Sequence, residues 1–344
     1  MRILQAGLGG WGRNWATEVV PRIPKLEAVG YVDSSPAALK AVVAGGIAPA
    51  EDCYEALGPA LAATSPDAVL VTANLVGHVP LVREALEAGC HVLVEKPFAP
   101  SVAAGRELVA LAETKDLRLM VSQNYRFHPT VTAVRDLVRS GELGRVHAVD
   151  IDFRRWSPLR ADGGRSPHHD LDEPLLVDMT VHHFDLLRAV LDSDASEIFY
   201  RGWNPPWSWF AGPAEGAAII GFDGGPVVSY RGSWLSPGPI TPWSGEWRME
   251  FERGDVTWTS RADRADGQAG ERIEVRRSVG GPAETVPLPA LPLADRAGSL
   301  AEFVAAVDTG REPESSGRVN LGTLALLEAA AESAASGRNV IVGR

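Results

Sequence analysis

A glycine-rich hexapeptide follows directly on the first apolar run of the chain. Residues 1 to 6 form a short apolar strand that ends in Gly7-Leu8-Gly9-Gly10-Trp11-Gly12, and a helical stretch from Arg13 to about Val20 follows until Pro21 and Pro24 stop it. In GxGxxG the first glycine permits a tight turn, the second lets backbone approach a pyrophosphate, and the third lets helix and strand pack closely. Gly7, Gly9 and Gly12 fill those places, with Gly10 and Trp11 between them. The helix behind the turn offers unpaired N–H groups and a positive dipole end to an anion. A second apolar strand, Glu27 to Val32, ends in Asp33, where a carboxylate can accept both ribose hydroxyls and repel a 2′-phosphate. The pattern predicts a dinucleotide site that prefers NAD, with NADP as the alternative. Taken alone, such a turn often only joins strand to helix.

The alternation of strand and helix continues. Ser34-Ser35-Pro36 opens a helix with a hydroxyl cap. Strands at Ala68–Thr72, Val92–Glu95 and Leu119–Val121 alternate with helices at Pro80–Ala88 and Val102–Glu113. Strands apolar on both faces imply a parallel sheet covered on both sides. From about Ser122 the rhythm changes to a helix (Thr130–Arg139), a strand (Val146–Phe153), a helix (about Leu176–Leu191) and a long turn-rich stretch. Gly224-Gly225 there reads as a hairpin turn, and two helices and a short strand close the chain. At 344 residues two domains are expected. The expected fold is α/β: a Rossmann doubly wound parallel sheet over residues 1–121, then an α+β domain with a large open, mostly antiparallel sheet over 122–344.

Charge and cysteine usage narrow the function classes. With 33 Lys plus Arg against 44 Asp plus Glu, a formal charge of −11 offers no footprint for nucleic acid. Cys53 and Cys90 stand outside any CxxC or Cys/His spacing, which suggests neither a disulfide framework nor a zinc site and fits a reducing cytoplasm. No apolar run approaches the roughly 18 residues that span a bilayer, and the first residues show no signal pattern. No metal site is expected, because the adjacent pair His168-His169 lacks spaced partners and reads as part of a solvated loop.

Two further stretches carry chemistry. Val94-Glu95-Lys96-Pro97 places a lysine at the carboxyl end of a strand, where doubly wound sheets receive ligands, although a solvated lysine would look the same. In Asp178-Met179-Thr180-Val181-His182-His183-Phe184-Asp185, helical spacing puts 178, 182 and 185 on one stripe. His182 between two acids is a natural proton acceptor near neutrality, while His183 points elsewhere and reads as structural. Eight of the ten tryptophans lie in the expected second domain, residues 122–344, and aromatics suit sugar rings, sheet faces and subunit interfaces alike. Trp156, which opens the loop before the candidate helix, is the one best placed for a pocket.

The glycine turn, Asn74 with His78, Glu95-Lys96-Pro97, Asn124-Tyr125-Arg126-Phe127-His128-Pro129, and Asp178 with His182 and Asp185 occur in the order seen in the Gfo/Idh/MocA oxidoreductases. The chain resembles this family over nearly its whole length. The resemblance implies catalytic Lys96, Asp178 and His182, a cis Lys96-Pro97 bond, and Asn74, His78 and Glu95 near the cofactor. It also implies oligomerisation, as a homodimer or homotetramer, through the outer face of the C-terminal sheet. Tyr125 and Arg126 join Trp156 as candidate contacts to a sugar- or polyol-like substrate. One departure, Asp172 to Thr180 without the family's glycines, falls on the substrate pocket. The reaction implied is hydride transfer between nicotinamide and a carbinol carbon. A redox-neutral, NAD-assisted glycosidase or epimerase and a non-catalytic nucleotide sensor are the alternatives.

Overall fold

A computed structural model describes residues 1–261 and 270–343. The chain divides into two compact units, Met1–Asn124 with Leu293–Leu324, and Tyr125–Pro292 with Ala325–Arg344. Residues 293–324 therefore lie in the first unit, whereas the sequence reading assigned everything after 121 to the second.

The first unit is built on six parallel strands: β1 (Arg2–Ala6), β2 (Glu27–Val32), β3 (Cys53–Tyr54), β4 (Ala68–Val71), β5 (His91–Glu95) and β6 (Leu119–Ser122). Their order in the sheet is β3-β2-β1-β4-β5-β6. The order reverses between β1 and β4, so the segments that follow these two strands flank the crevice where such sheets take ligands. The central strands β1, β4 and β5 are buried almost throughout, as expected for a sheet covered on both faces.

The helices of this unit are α1 (Gly10–Asn14), α2 (Pro36–Ala44), α3 (Leu57–Thr64), α4 (Leu75–Glu87) and α5 (Val102–Thr114). Two more, α8 (Asp295–Thr309) and the start of α9 (Gly317–Ser336), come from the returning segment. Helix α1 runs on into a π turn, Trp15–Val19, and a 3₁₀ turn, Val20–Arg22, before Ile23 leaves the helix. Helix α4 starts at Leu75 and not at Pro80, because the Asn74 side chain caps it by accepting the Gly77 N–H at 3.1 Å. Pro80 sits on the exposed side, and the ladder bond it cannot make is to Val76, itself exposed.

The second unit carries α6 (Pro129–Ser140), α7 (Val181–Leu191) and a nine-stranded sheet. Its strands are β7 (Val146–Arg154), β8 (Ala195–Trp203), β9 (Glu215–Phe222), β10 (Val227–Ser233), β11 (Glu246–Phe251), β12 (Asp255–Thr259), β13 (Arg272–Arg276), β14 (Ala283–Thr285) and β15 (Val340–Ile341). The order is β14-β13-β12-β11-β7-β10-β9-β8-β15, and among the described residues only β7 and β10 pair in parallel. Gly224 takes φ +61° in the β9–β10 hairpin, as its sequence signature predicts. Val149, Ile151, Phe153, Tyr230, Trp247 and Met249 are buried on one face and alternate with Asp150, Asp152, Arg231 and Arg248 on the other. Tyr230 reaches α7 from the buried face, where its hydroxyl lies 2.9 Å from Thr180 Oγ1 and 3.1 Å from His183 Nδ1.

Candidate cofactor and active site

In the first unit the glycine turn has the shape its sequence requires. Gly7 has φ +100°, and a Cβ there would lie 2.3 Å from the Ala73 nitrogen. At Gly12 a Cβ would meet the Gly7 carbonyl oxygen at 2.0 Å. At Gly9 and Gly10 nothing lies within 4 Å, so the turn is packed against the β4 end on one side and open where a diphosphate would approach. Buried side chains brace it from beneath. Gln5 Nε2 donates to the Gly12 carbonyl at 2.7 Å, and the Thr72 hydroxyl donates to the Gly7 carbonyl at 2.6 Å. Sequence reasoning passed over both, because neither residue type advertises such a role. Asp33 accepts the Leu8 N–H at 2.6 Å on Oδ2 and the Ser35 N–H at 2.8 Å on Oδ1, which fixes its carboxylate beside the turn. An open glycine turn beside an oriented carboxylate fits a dinucleotide.

At the end of β5, buried Glu95 accepts the indole N–H groups of Trp11 at 2.9 Å and Trp15 at 2.8 Å on one oxygen. Its other oxygen takes the Lys96 N–H at 3.2 Å. Expected near the cofactor, Glu95 is thus held by groups of the protein itself. The guanidinium of Arg296 lies 4.2 Å from the centre of the half-exposed Trp11 ring. The Lys96–Pro97 bond is cis. His78 was expected to approach the nicotinamide, but it is buried with Nδ1 2.8 Å from the Pro97 carbonyl and Nε2 2.9 Å from the Ala73 carbonyl. Both ring nitrogens face backbone, and burial lowers its pKa against the pull of those carbonyls. Its place is between the loops after β4 and β5.

In the second unit the Tyr125 ring stacks on His182, and the Tyr125 hydroxyl accepts from Arg261 at 2.7 Å. Arg126, expected at the substrate, is instead buried in a two-pronged ion pair with Asp185, at 2.6 and 2.7 Å. Asp185 therefore carries the Arg126 guanidinium on both of its oxygens. Residues Leu176–Thr180 form a π turn ahead of α7, so the even stripe assumed from Asp178 to His182 does not hold; wide turns of this kind recur at functional sites. Asp178 acts on His168, whose pKa burial lowers and Asp178 partly restores.

The pair His168-His169 is no solvated loop. His169 is fully buried, Ser157 and Ser166 hydroxyls contact both rings, and Phe210 and Trp209 pack around them. The aromatic content of the segment made it foldable in a way that adjacent histidines concealed. Trp156 is exposed and meets Trp209 edge-on, whereas Trp247 and Trp258 stack on each other in the core. His183 is fully buried between Tyr230 and the Trp243 carbonyl, 3.0 Å away, and burial pushes its pKa down to about 4. Among the described residues no group of three His, Cys, Asp or Glu side chains could hold a metal ion, and no helix is long and apolar enough to cross a membrane.

The model of an oxidoreductase family with an NAD-binding Rossmann fold matches residues 1–123, and that of the GFO/IDH/MocA C-terminal domain matches residues 131–257. The chain belongs to the GFO/IDH/MocA family and is an NAD(P)-dependent oxidoreductase. D-apiose dehydrogenase of Paraburkholderia graminis is 28% identical over 332 residues, 92% of this chain and 84% of that relative. An Agrobacterium radiobacter oxidoreductase, solved with NAD+, L-tartaric acid and magnesium, superposes with a TM-score of 0.85 at 22% identity, covering 100% of this chain and 98% of its own. The aldose-aldose oxidoreductase of Caulobacter crescentus, solved with glycerol, gives 0.83 at 21%, covering 99% of each chain. At these identities the two structures establish the fold.

Proposed function

We propose that the protein transfers a hydride between NAD and a carbinol carbon of a sugar, cyclitol or sugar acid. The observation that carries this reading is the glycine turn, open at Gly9 and Gly10 and flanked by the backbone-held Asp33 carboxylate. The kinship with D-apiose dehydrogenase supports the sugar class. When bound, the nicotinamide supplies the hydride acceptor or donor at C4. In this reading a ring nitrogen of His182, oriented by Asp178, takes the hydroxyl proton, and the Lys96 ammonium holds the substrate oxygen. Gly7, Gly9, Gly10, Trp11 and Gly12 seat the diphosphate, Asp33 the ribose, and Asn74 borders the nicotinamide end. Trp156 offers its exposed face to the substrate.

The test is absorbance at 340 nm with NAD and NADP in parallel against aldoses, inositols and sugar acids. Reduction of NAD by a member of the panel is expected. Product formation without net cofactor reduction would replace the dehydrogenase reading by a redox-neutral one, and nucleotide binding without any product would leave a sensor.

We further propose assembly as a homodimer or homotetramer through the outer sheet face, where Phe199, Ile219, Val227 and Ile341 expose apolar side chains on one side. Light scattering after size exclusion decides it, and a monomer at micromolar concentration would refute it. The free thiols of Cys53 and Cys90 support a cytoplasmic location.

A further inference from the structure

Three N–H donors from two parts of the first unit converge on one buried carboxylate. Trp11 and Trp15 stand on the helical segment that leaves the glycine turn, and both donate to Glu95 Oε1. The Lys96 backbone donates to Oε2. We propose that Glu95 is a positioning residue for Lys96, coupling the segment that bears the dinucleotide turn to the backbone of the lysine that meets the substrate. This rests on the reading of Lys96 as catalytic.

A carboxylate suits the place because it is acceptor-only at both ends. An amide of the same shape would turn its NH₂ either toward two indole N–H groups or toward the Lys96 N–H, and one side would meet donor against donor. Trp11 fits the coupling role. Its ring lies under the Arg296 guanidinium while its edge reaches Glu95, so the residue inside GxGxxG is fixed on two sides. A displacement of the turn that moved Trp11 would be felt at Lys96 through two hydrogen bonds.

The experiment is a double-mutant cycle on the full chain, using Glu95→Gln, Lys96→Met and the pair, read as kcat, KM and the NADH dissociation constant from cofactor fluorescence. Glu95→Gln is expected to lower kcat by about tenfold or more while NADH affinity stays within about threefold. In the Lys96→Met background it should change kcat by less than about twofold, because its effect passes through the lysine. Multiplicative losses would overturn the positioning role, as would a loss accounted for wholly by weaker NADH binding. Full activity of Lys96→Met would overturn the reading of Lys96 instead, and so is distinguishable. Should Glu95→Gln fail to fold, Trp11→Phe removes a single N–H at a half-exposed ring. It should lower kcat about threefold in the native background and not in Lys96→Met; unchanged kcat in the native background would overturn the coupling.

Discussion

The Tyr125 ring lies flat on the His182 imidazole, with centroids 4.1 Å apart and planes within 2°. One face of the proposed base is thereby covered by a rigid, buried neighbour, which fixes the plane of the ring. Tyr125→Leu should lower kcat by about 10- to 100-fold through misorientation and leave NADH affinity unchanged. Tyr125→Phe keeps the stack, loses the bond from Arg261, and should cost much less. Equal losses in the two variants would show that the hydroxyl, and not the stacked face, matters.

The Arg126–Asp185 pair makes a different kind of prediction. Both side chains are buried, so Arg126→Met removes the guanidinium that faces the Asp185 carboxylate and Asp185→Asn removes the charge that faces the Arg126 guanidinium. Each should destabilise the fold by about 3–5 kcal/mol in urea titrations, and the Arg126→Met/Asp185→Leu double variant should lose less than the sum. A selective rise in substrate KM with native stability would return Arg126 to the pocket.

In the proposed reading Asp33 sets the cofactor preference. Asp33→Asn retains an acceptor for the Leu8 N–H but removes the charge that disfavours a 2′-phosphate. The ratio of kcat/KM for NADP over NAD should rise by about tenfold or more, a difference of about 1.4 kcal/mol. An unchanged ratio would show that another group discriminates.

Acid should weaken the fold through His183. Its folded pKa of about 4 lies below the roughly 6.5 of an unfolded histidine, so the unfolded chain binds the extra proton first. The stability contributed by neutral His183 is complete above about pH 6.5 and is lost as pH falls toward 4, to a total of about 3 kcal/mol. Burial lowers the His78 pKa as well and adds in the same direction. Urea midpoints from pH 7 to 4 measure the slope, and His183→Gln should flatten it. An equal slope in that variant would assign the loss to other groups.

The strand and helix alternation of residues 1–122 was legible because each element is set by local rules: glycine turn, proline stop, serine cap, apolar run. Helix α4 was misjudged by five residues, since Pro80 signals a start only when no Asn caps the chain earlier. The candidate site was legible as residue types and not as partnerships. Nothing local could reveal that Arg126 would find Asp185, 59 positions on, or that His78 would face two carbonyls. The aromatic packing that buries His169 likewise joins segments far apart in the chain.

The return of residues 293–324 to the first unit has a consequence for how the protein can be made. Strand β6 is incomplete without it: the Val121 N–H donates to the Ser315 carbonyl, the Ser315 hydroxyl donates back to the Val121 carbonyl, and Gln123 bonds Asn320. Arg118 and Lys25 likewise find their partners at Gly310 and Asp308. During synthesis residues 1–124 therefore close late, after the ribosome has delivered strands β7 to β14 of the second unit. A single recombination crossover near residue 124 would sever a domain instead of exchanging one.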